Sequence, residues 1–196
     1  MKRTISIWII AVVACMGCVF TAHAQQRAVK TNLLYDVTTT FSLGVEYAIS
    51  PKWTVDLSGS YNPWTFSDNK KWKHWMVQPE ARYWLCEKFN GHFFGAHLHG
   101  GQYNIGNVDA SFNILGTHFS KLKDARFEGW FVGAGVAYGY AWMLGKHWNL
   151  EAEIGFGYSL VDYSEFYCPV CSDKRRVGKH HYVGPTKMAL NLVYVF

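Results

Sequence analysis

Alternation of apolar and polar residues is the strongest constraint this chain places on its own fold. From Trp148 to Leu160 the even positions are Trp148, Leu150, Ala152, Ile154, Phe156, Tyr158 and Leu160. The odd positions are Asn149, Glu151, Glu153, Gly155, Gly157 and Ser159. Successive side chains of a strand point to opposite faces, so this segment has one apolar face and one that is polar or bare. The same period recurs in Trp53–Tyr61, Phe131–Trp142 and the carboxyl-terminal run Lys187–Phe196. Weaker versions lie at Val29–Val37, Phe41–Ile49, Trp75–Cys86 and His92–Tyr103. Eight segments result, most of them the ~9–11 residues that a tilted strand needs to cross a bilayer.

The connections divide into two kinds. Ser50-Pro51-Lys52, Glu87-Lys88-Phe89-Asn90-Gly91 and Leu144-Gly145-Lys146-His147 are short, whereas Trp64–His74, Asn104–Arg126 and Ser164–His181 are long. Alternating short turns and long loops, with an even strand number, predict an up-and-down antiparallel barrel of the outer-membrane type. Thr38-Thr39-Thr40 is a short connection on the long-loop side. Composition agrees. Nine Trp, 12 Tyr and 13 Phe accompany 18 Gly and only five Pro. Trp53, Trp142 and Trp148 flank short turns, and Trp75 and Trp130 lie toward long loops, as two interfacial girdles require.

The chain opens Met1-Lys2-Arg3, runs through apolar residues from Ile5 to Phe20, and reaches Thr21-Ala22-His23-Ala24-Gln25. A basic start, an apolar stretch and an A-x-A site predict a secretory signal over residues 1–24, cleaved after Ala24, with a barrel domain over 25–196. Its removal takes away Lys2 and Arg3 and lowers the formal charge from +5 to +3, too little to point to nucleic acid. The predicted location is a bacterial outer membrane. The chain's end, Leu192-Val193-Tyr194-Val195-Phe196, resembles the terminal signal read by barrel-assembly machinery.

If the apolar faces meet lipid, the opposite faces fill the lumen with Lys30, Asp36, Glu46, Asp56, Glu80, Arg82, His97, His99, Glu151, Glu153 and Lys187. An eight-stranded barrel is just wide enough to be filled by side chains, so these groups are expected to pair as a polar plug. The competing reading is an acid–base or metal site, since His97-x-His99 puts two imidazoles on one strand face about 7 Å apart. No nucleophile elbow or H-E-x-x-H accompanies them, so no catalytic residue, metal or cofactor is assigned. Cys168-Pro169-Val170-Cys171 is expected to close a small loop disulfide, with zinc binding or redox exchange as alternatives. Cys86 reads as a buried apolar filler. Lys70, Lys71, Lys73, Lys121, Lys123, Arg126 and the Lys174–Lys179 cluster make the long loops basic, which suits lipopolysaccharide phosphates.

Several stretches are distinctive together. They include Lys30-Thr31-Asn32-Leu33-Leu34-Tyr35-Asp36, Asn62-Pro63-Trp64-Thr65-Phe66, Lys71-Trp72-Lys73-His74-Trp75 and Gln78-Pro79-Glu80-Ala81-Arg82-Tyr83-Trp84. Gly129-Trp130-Phe131-Val132-Gly133-Ala134-Gly135, Trp148-Asn149-Leu150-Glu151-Ala152-Glu153 and His181-Tyr182-Val183-Gly184-Pro185-Thr186-Lys187 belong with them. Over the mature chain the sequence resembles an uncharacterised outer-membrane barrel family of the Bacteroidetes group. That resemblance implies a barrel and carries no catalytic residue. It implies surface or fimbrial proteins as partners by association. The expected role is structural or surface-interacting. The rivals are a lipid A- or phospholipid-modifying enzyme, a narrow pore and a soluble periplasmic lipocalin-like binding barrel.

Overall fold

The alternating segments become strands that pair with their chain neighbours and close on themselves. The computed structural model describes residues 26–65, 71–106, 113–114, 117–118, 126–166 and 174–196. The predicted signal segment and the Cys168–Cys171 pair lie outside the described residues. The elements are β1 (Arg27–Asn32), α1 (Leu33–Val37), β2 (Phe41–Ala48), β3 (Trp53–Asn62), β4 (Lys71–Trp84) and β5 (Gly91–Gly106). There follow β6 (Asn113–Ile114), β7 (Thr117–His118), β8 (Arg126–Met143), β9 (Trp148–Phe166) and β10 (Lys174–Val195). Eight of them form a closed barrel in the order β1-β10-β9-β8-β5-β4-β3-β2, with β6 and β7 as a separate two-stranded ribbon. All barrel pairs are antiparallel, and β1 closes on β10 through Ala28–Val195 to Asn32–Asn191.

The expected strand over Val29–Val37 is cut short. The Asn32 side chain accepts from the Leu34 N–H and caps α1, so the chain turns helical where alternation predicted extension. The Asn32 amide also donates to the Met188 carbonyl, and its Oδ1 accepts from the Leu190 N–H. One side chain thereby occupies the edge of β10 beyond the last β1 pair.

Elsewhere the strands outrun the expectation. β8, β9 and β10 are 18, 19 and 22 residues long and extend into the segments read as loops. Backbone ladders continue past the band with an apolar outer face, where side chains no longer alternate in polarity and the sequence signal fades. β10 also contains a register shift between Pro185 and Lys187, which leaves Thr186 as an extra residue and reverses the side-chain parity above it.

The turn between β4 and β5 folds under the barrel. Phe89 and Gly91 take positive φ values of 63° and 77°, and Phe89 is buried against Trp84. Trp84 and Phe93, both fully buried, pack with ring centroids 4.7 Å apart and planes tilted by 40°, and form a base with Ala28, Ala48, Ala141, Val193 and Val195. Cys86 lies at the rim of this turn and is exposed, not buried as expected. The chain there turns outward into bends after β4, so the side chain no longer follows strand parity.

Candidate functional site

The inward face above the apolar base is charged. Register places Glu46, Asp56, Glu80 and His97 opposite one another on consecutive strands β2, β3, β4 and β5. The ring continues through Gly135 and Gly157 on β8 and β9, so large side chains crowd one half of the lumen and bare positions the other. A Cβ on Gly135 would stand 2.8 Å from His97 Nε2, and one on Gly139 would stand 2.3 Å from Phe93 Cζ. The glycines of the apparently bare faces are the space over which the rings of their cross-strand partners on β5 lie.

Arg82 is the hub. Its Nε donates to Glu80 Oε1 at 2.6 Å, and Nη1 donates to Glu46 Oε2 and Glu151 Oε2, each at 2.9 Å. Nη2 donates to Glu153 Oε2 at 2.7 Å. The guanidinium carbon lies 4.6 Å from the Phe93 ring centroid, so the same group caps the apolar base as a cation over a π face. Lys30 Nζ reaches Glu46 Oε2 at 2.6 Å and Asp56 Oδ1 at 3.0 Å. Lys187 Nζ reaches Glu80 Oε2 at 2.6 Å and Glu153 Oε1 at 3.0 Å. These contacts join β1, β2, β3, β4, β9 and β10, and those of Arg82 with Glu46, Glu151 and Glu153, of Lys30 with Asp56 and of Lys187 with Glu80 cross between strands that no ladder connects.

Second-rank groups tie the network to its surroundings. Trp84 Nε1 donates to Thr54 Oγ1 at 2.9 Å, and Thr54 donates to Glu46 Oε1 at 2.5 Å. Asn191 Nδ2 donates to Glu151 Oε1 at 2.8 Å. Above the carboxylates, His97 Nε2 meets the Oγ1 of Thr186, the bulged residue, at 3.0 Å, and His99 Nε2 meets Ser159 Oγ at 2.5 Å. The Nδ1 atoms of both histidines lack a hydrogen-bond partner among the described residues. Ser159 and His99 thus have the spacing of a nucleophile and a base, but no carboxylate orients the imidazole, and both side chains are buried in the wall of the lumen. Among the described residues, no group of three His, Cys, Asp or Glu side chains is arranged to hold a metal. Toward the loop end the lumen widens into a cavity of about 710 Å³ lined by Asn62, His74, Tyr103, Asp162 and others.

Ten of the eleven expected lumen residues therefore lie buried: Lys30, Glu46, Asp56, Glu80, Arg82, His97, His99, Glu151, Glu153 and Lys187. Asp36 does not. It is exposed on α1, where it accepts from Thr31 Oγ1 at 3.1 Å, because capping of the helix at Asn32 ended the strand that was to carry it inward. Thr54, Ser159 and Asn191 also line the lumen, and each shares its strand face with a charged residue, Asp56, Glu153 and Lys187 respectively. Thr186 had no such signal, since only the bulge turns it inward.

The profile of a family described as proteins of unknown function (DUF3575) matches residues 9–196. The chain belongs to that family. No curated protein matches the chain. The DUF3575 barrel buries a charged network inside and exposes an apolar band outside.

Proposed function

We propose that this DUF3575 protein is a small transmembrane barrel of a Gram-negative outer membrane, of the Bacteroidetes group as its resemblance implies, with a structural or surface-interaction role. The observation that supports this reading is the outward band. Val45, Val55, Leu57, Val77, Leu98, Val132, Val136, Ile154, Phe156 and Met188 are all exposed, on seven different strands. A soluble protein rarely exposes so continuous an apolar surface. Aromatic side chains bound the band at both levels. Tyr47, Trp53, Trp142 and Trp148 lie toward the short turns, and Phe41, Tyr61, Trp75 and Trp130 toward the other end. Trp53 and Tyr61 are eight residues apart on β3, about 26 Å along the strand. Tilted by ~40°, that is about 20 Å of height, near the ~25 Å of an outer-membrane barrel's apolar band.

The same inversion weighs against a lipocalin-like carrier, whose cavity is apolar. The cross-barrel ion pairs weigh against an open pore. In this reading the terminal strand ending at Phe196 serves recognition by assembly machinery, and the long strands lift a basic loop end toward lipopolysaccharide and surface or fimbrial partners.

Fractionation of cell envelopes, followed by gel electrophoresis with and without boiling, tests the placement. The protein should sediment with outer membranes and change mobility on boiling. Recovery in the soluble periplasmic fraction, with one mobility in both samples, would overturn it.

A further inference from the structure

One seam of the barrel is closed by a ladder only at its base. β1 pairs with β10 from Ala28–Val195 to Asn32–Asn191 and then gives way to α1, which packs between β10 and β2. The Asn32 side chain bonds the next edge groups, at Met188 and Leu190. Above them β10 continues to Lys174 paired with β9 alone, while β2 begins only at Phe41. Among the described residues, no strand lies along the other side of β10 from Lys174 to Pro185. Lys179 is opposite Asp162, which is opposite Trp130 of the upper aromatic level. From Lys179 to Lys174 the edge therefore stands beyond the apolar band.

An unpaired edge is a template for a further strand, and proteins blunt such edges with bulges, prolines or charge. Here the irregularities sit at the ends of the free stretch, as register shifts between Lys174 and Arg176 and between Pro185 and Lys187. Between them the strand from Arg176 to Gly184 is regular, and Val177 and Val183 on one of its faces are 61% and 67% exposed. Charge indicates the partner. The chain from Lys174 to Gly184 carries Lys174, Arg175, Arg176 and Lys179 and no Asp or Glu. Arg176 and Lys179 are opposite Glu165 and Asp162 of β9, but Lys174 is opposite Phe166 and Arg175 has no partner in the register. A second copy does not suit this edge, because pairing the stretch with itself brings cations together without a carboxylate. A strand that alternates carboxylates with apolar side chains would meet the cations and cover the valines.

We propose that the β10 edge from Arg176 to Gly184 takes up an extended acidic segment of a partner protein as an added strand. Main-chain hydrogen bonds supply the affinity, and carboxylates beside Arg176 and Lys179 supply the selectivity. This inference names the kind of partner for the surface-interaction role and rests on that reading.

Full-length protein in non-ionic detergent would be titrated into fluorescent peptides, with anisotropy as the readout. The probes are a short peptide of alternating Glu and Val, its Lys-Val counterpart, and the Glu-Val peptide methylated at every backbone nitrogen. Methylation keeps the charge and removes the main-chain donors, so the plain Glu-Val peptide should bind at least about tenfold more tightly than the methylated one. The Lys-Val peptide should bind more weakly still. Arg176→Glu with Lys179→Glu should weaken the Glu-Val peptide by about tenfold and strengthen the Lys-Val peptide. Should that double variant fail to fold, Arg176→Gln with Lys179→Gln should weaken the Glu-Val peptide in the same direction. Equal binding of the methylated and plain peptides would overturn the added strand and leave attraction by charge alone. So would unchanged affinity in the folded variants. The gel mobility shift on boiling reports the barrel separately, so a folded, heat-modifiable protein that binds no Glu-Val peptide would overturn this inference and leave the membrane reading standing.

Discussion

The inner and outer walls of this barrel are built from the same strands and obey opposite rules. On the outer wall Val45, Leu57 and Phe156 are exposed, and what matters there is that they are apolar. On the inner wall Glu46, Asp56 and Arg82 are buried, and each is fixed by named partners at 2.6–3.0 Å. An apolar surface in contact with lipid tolerates exchange of one apolar side chain for another. A buried ion network does not, because a missing partner leaves its neighbours charged and unpaired. One residue step along a strand therefore changes which of the two rules applies.

The comparison is broken most severely at Arg82. Arg82→Met should destabilise by about 3–5 kcal/mol or abolish folding, since it leaves the carboxylates of Glu46, Glu80, Glu151 and Glu153 without their shared guanidinium. Urea unfolding in lipid vesicles, read by tryptophan fluorescence, measures it. Adding Glu46→Gln and Glu151→Gln to Arg82→Met should recover part of the loss. No recovery would mean that Arg82 acts through its packing on Phe93 and not through charge.

The outer wall gives the next largest effect. Leu57→Arg, in the middle of the band, should cost about 2–4 kcal/mol in bilayers, whereas Leu57→Val should stay close to wild type in the same titration. A tolerated arginine would put water where lipid is proposed. A smaller effect should come from Gly139→Ala, whose added Cβ meets the Phe93 ring and the Ala152 carbonyl within 2.8 Å. About 1–3 kcal/mol is expected from such overpacking. Ala134→Val, on the exposed face of the same strand, should be nearly silent in that assay.

The contrast between the walls also explains what was legible in the sequence. Period two exposes a strand only where its faces differ in polarity, so Trp148–Leu160 and Trp53–Tyr61 were readable almost to the residue. Past Leu160 and before Lys187 polar residues occupy both faces, and the ladder of β9 and β10 continues without a pattern to reveal it. Membership of the lumen was readable by parity for the same reason, and it failed at Asp36, where a local cap overrode alternation. Pairing was not readable. Nothing in the spacing of Arg82, Glu151 and Glu153 says that one guanidinium joins carboxylates on β2, β4 and β9, because those contacts cross the barrel and depend on its closure. The bulge at Thr186 was hidden too, since an inserted residue leaves no mark in composition.

The central claim is that the apolar wall faces lipid and the charged wall faces inward. Single cysteines placed in turn from Thr54 to Tyr61 on β3, in a background with the native cysteines changed to serine, would carry nitroxide labels in reconstituted bilayers. Relaxation by oxygen, which concentrates in lipid, would be compared with relaxation by a water-soluble nickel complex. Positions 55, 57, 59 and 61 should be relaxed strongly by oxygen and weakly by nickel, and positions 54, 56, 58 and 60 should respond little to oxygen. Strong nickel relaxation at 55, 57 and 59 would contradict the account, because it would place water against the wall assigned to lipid.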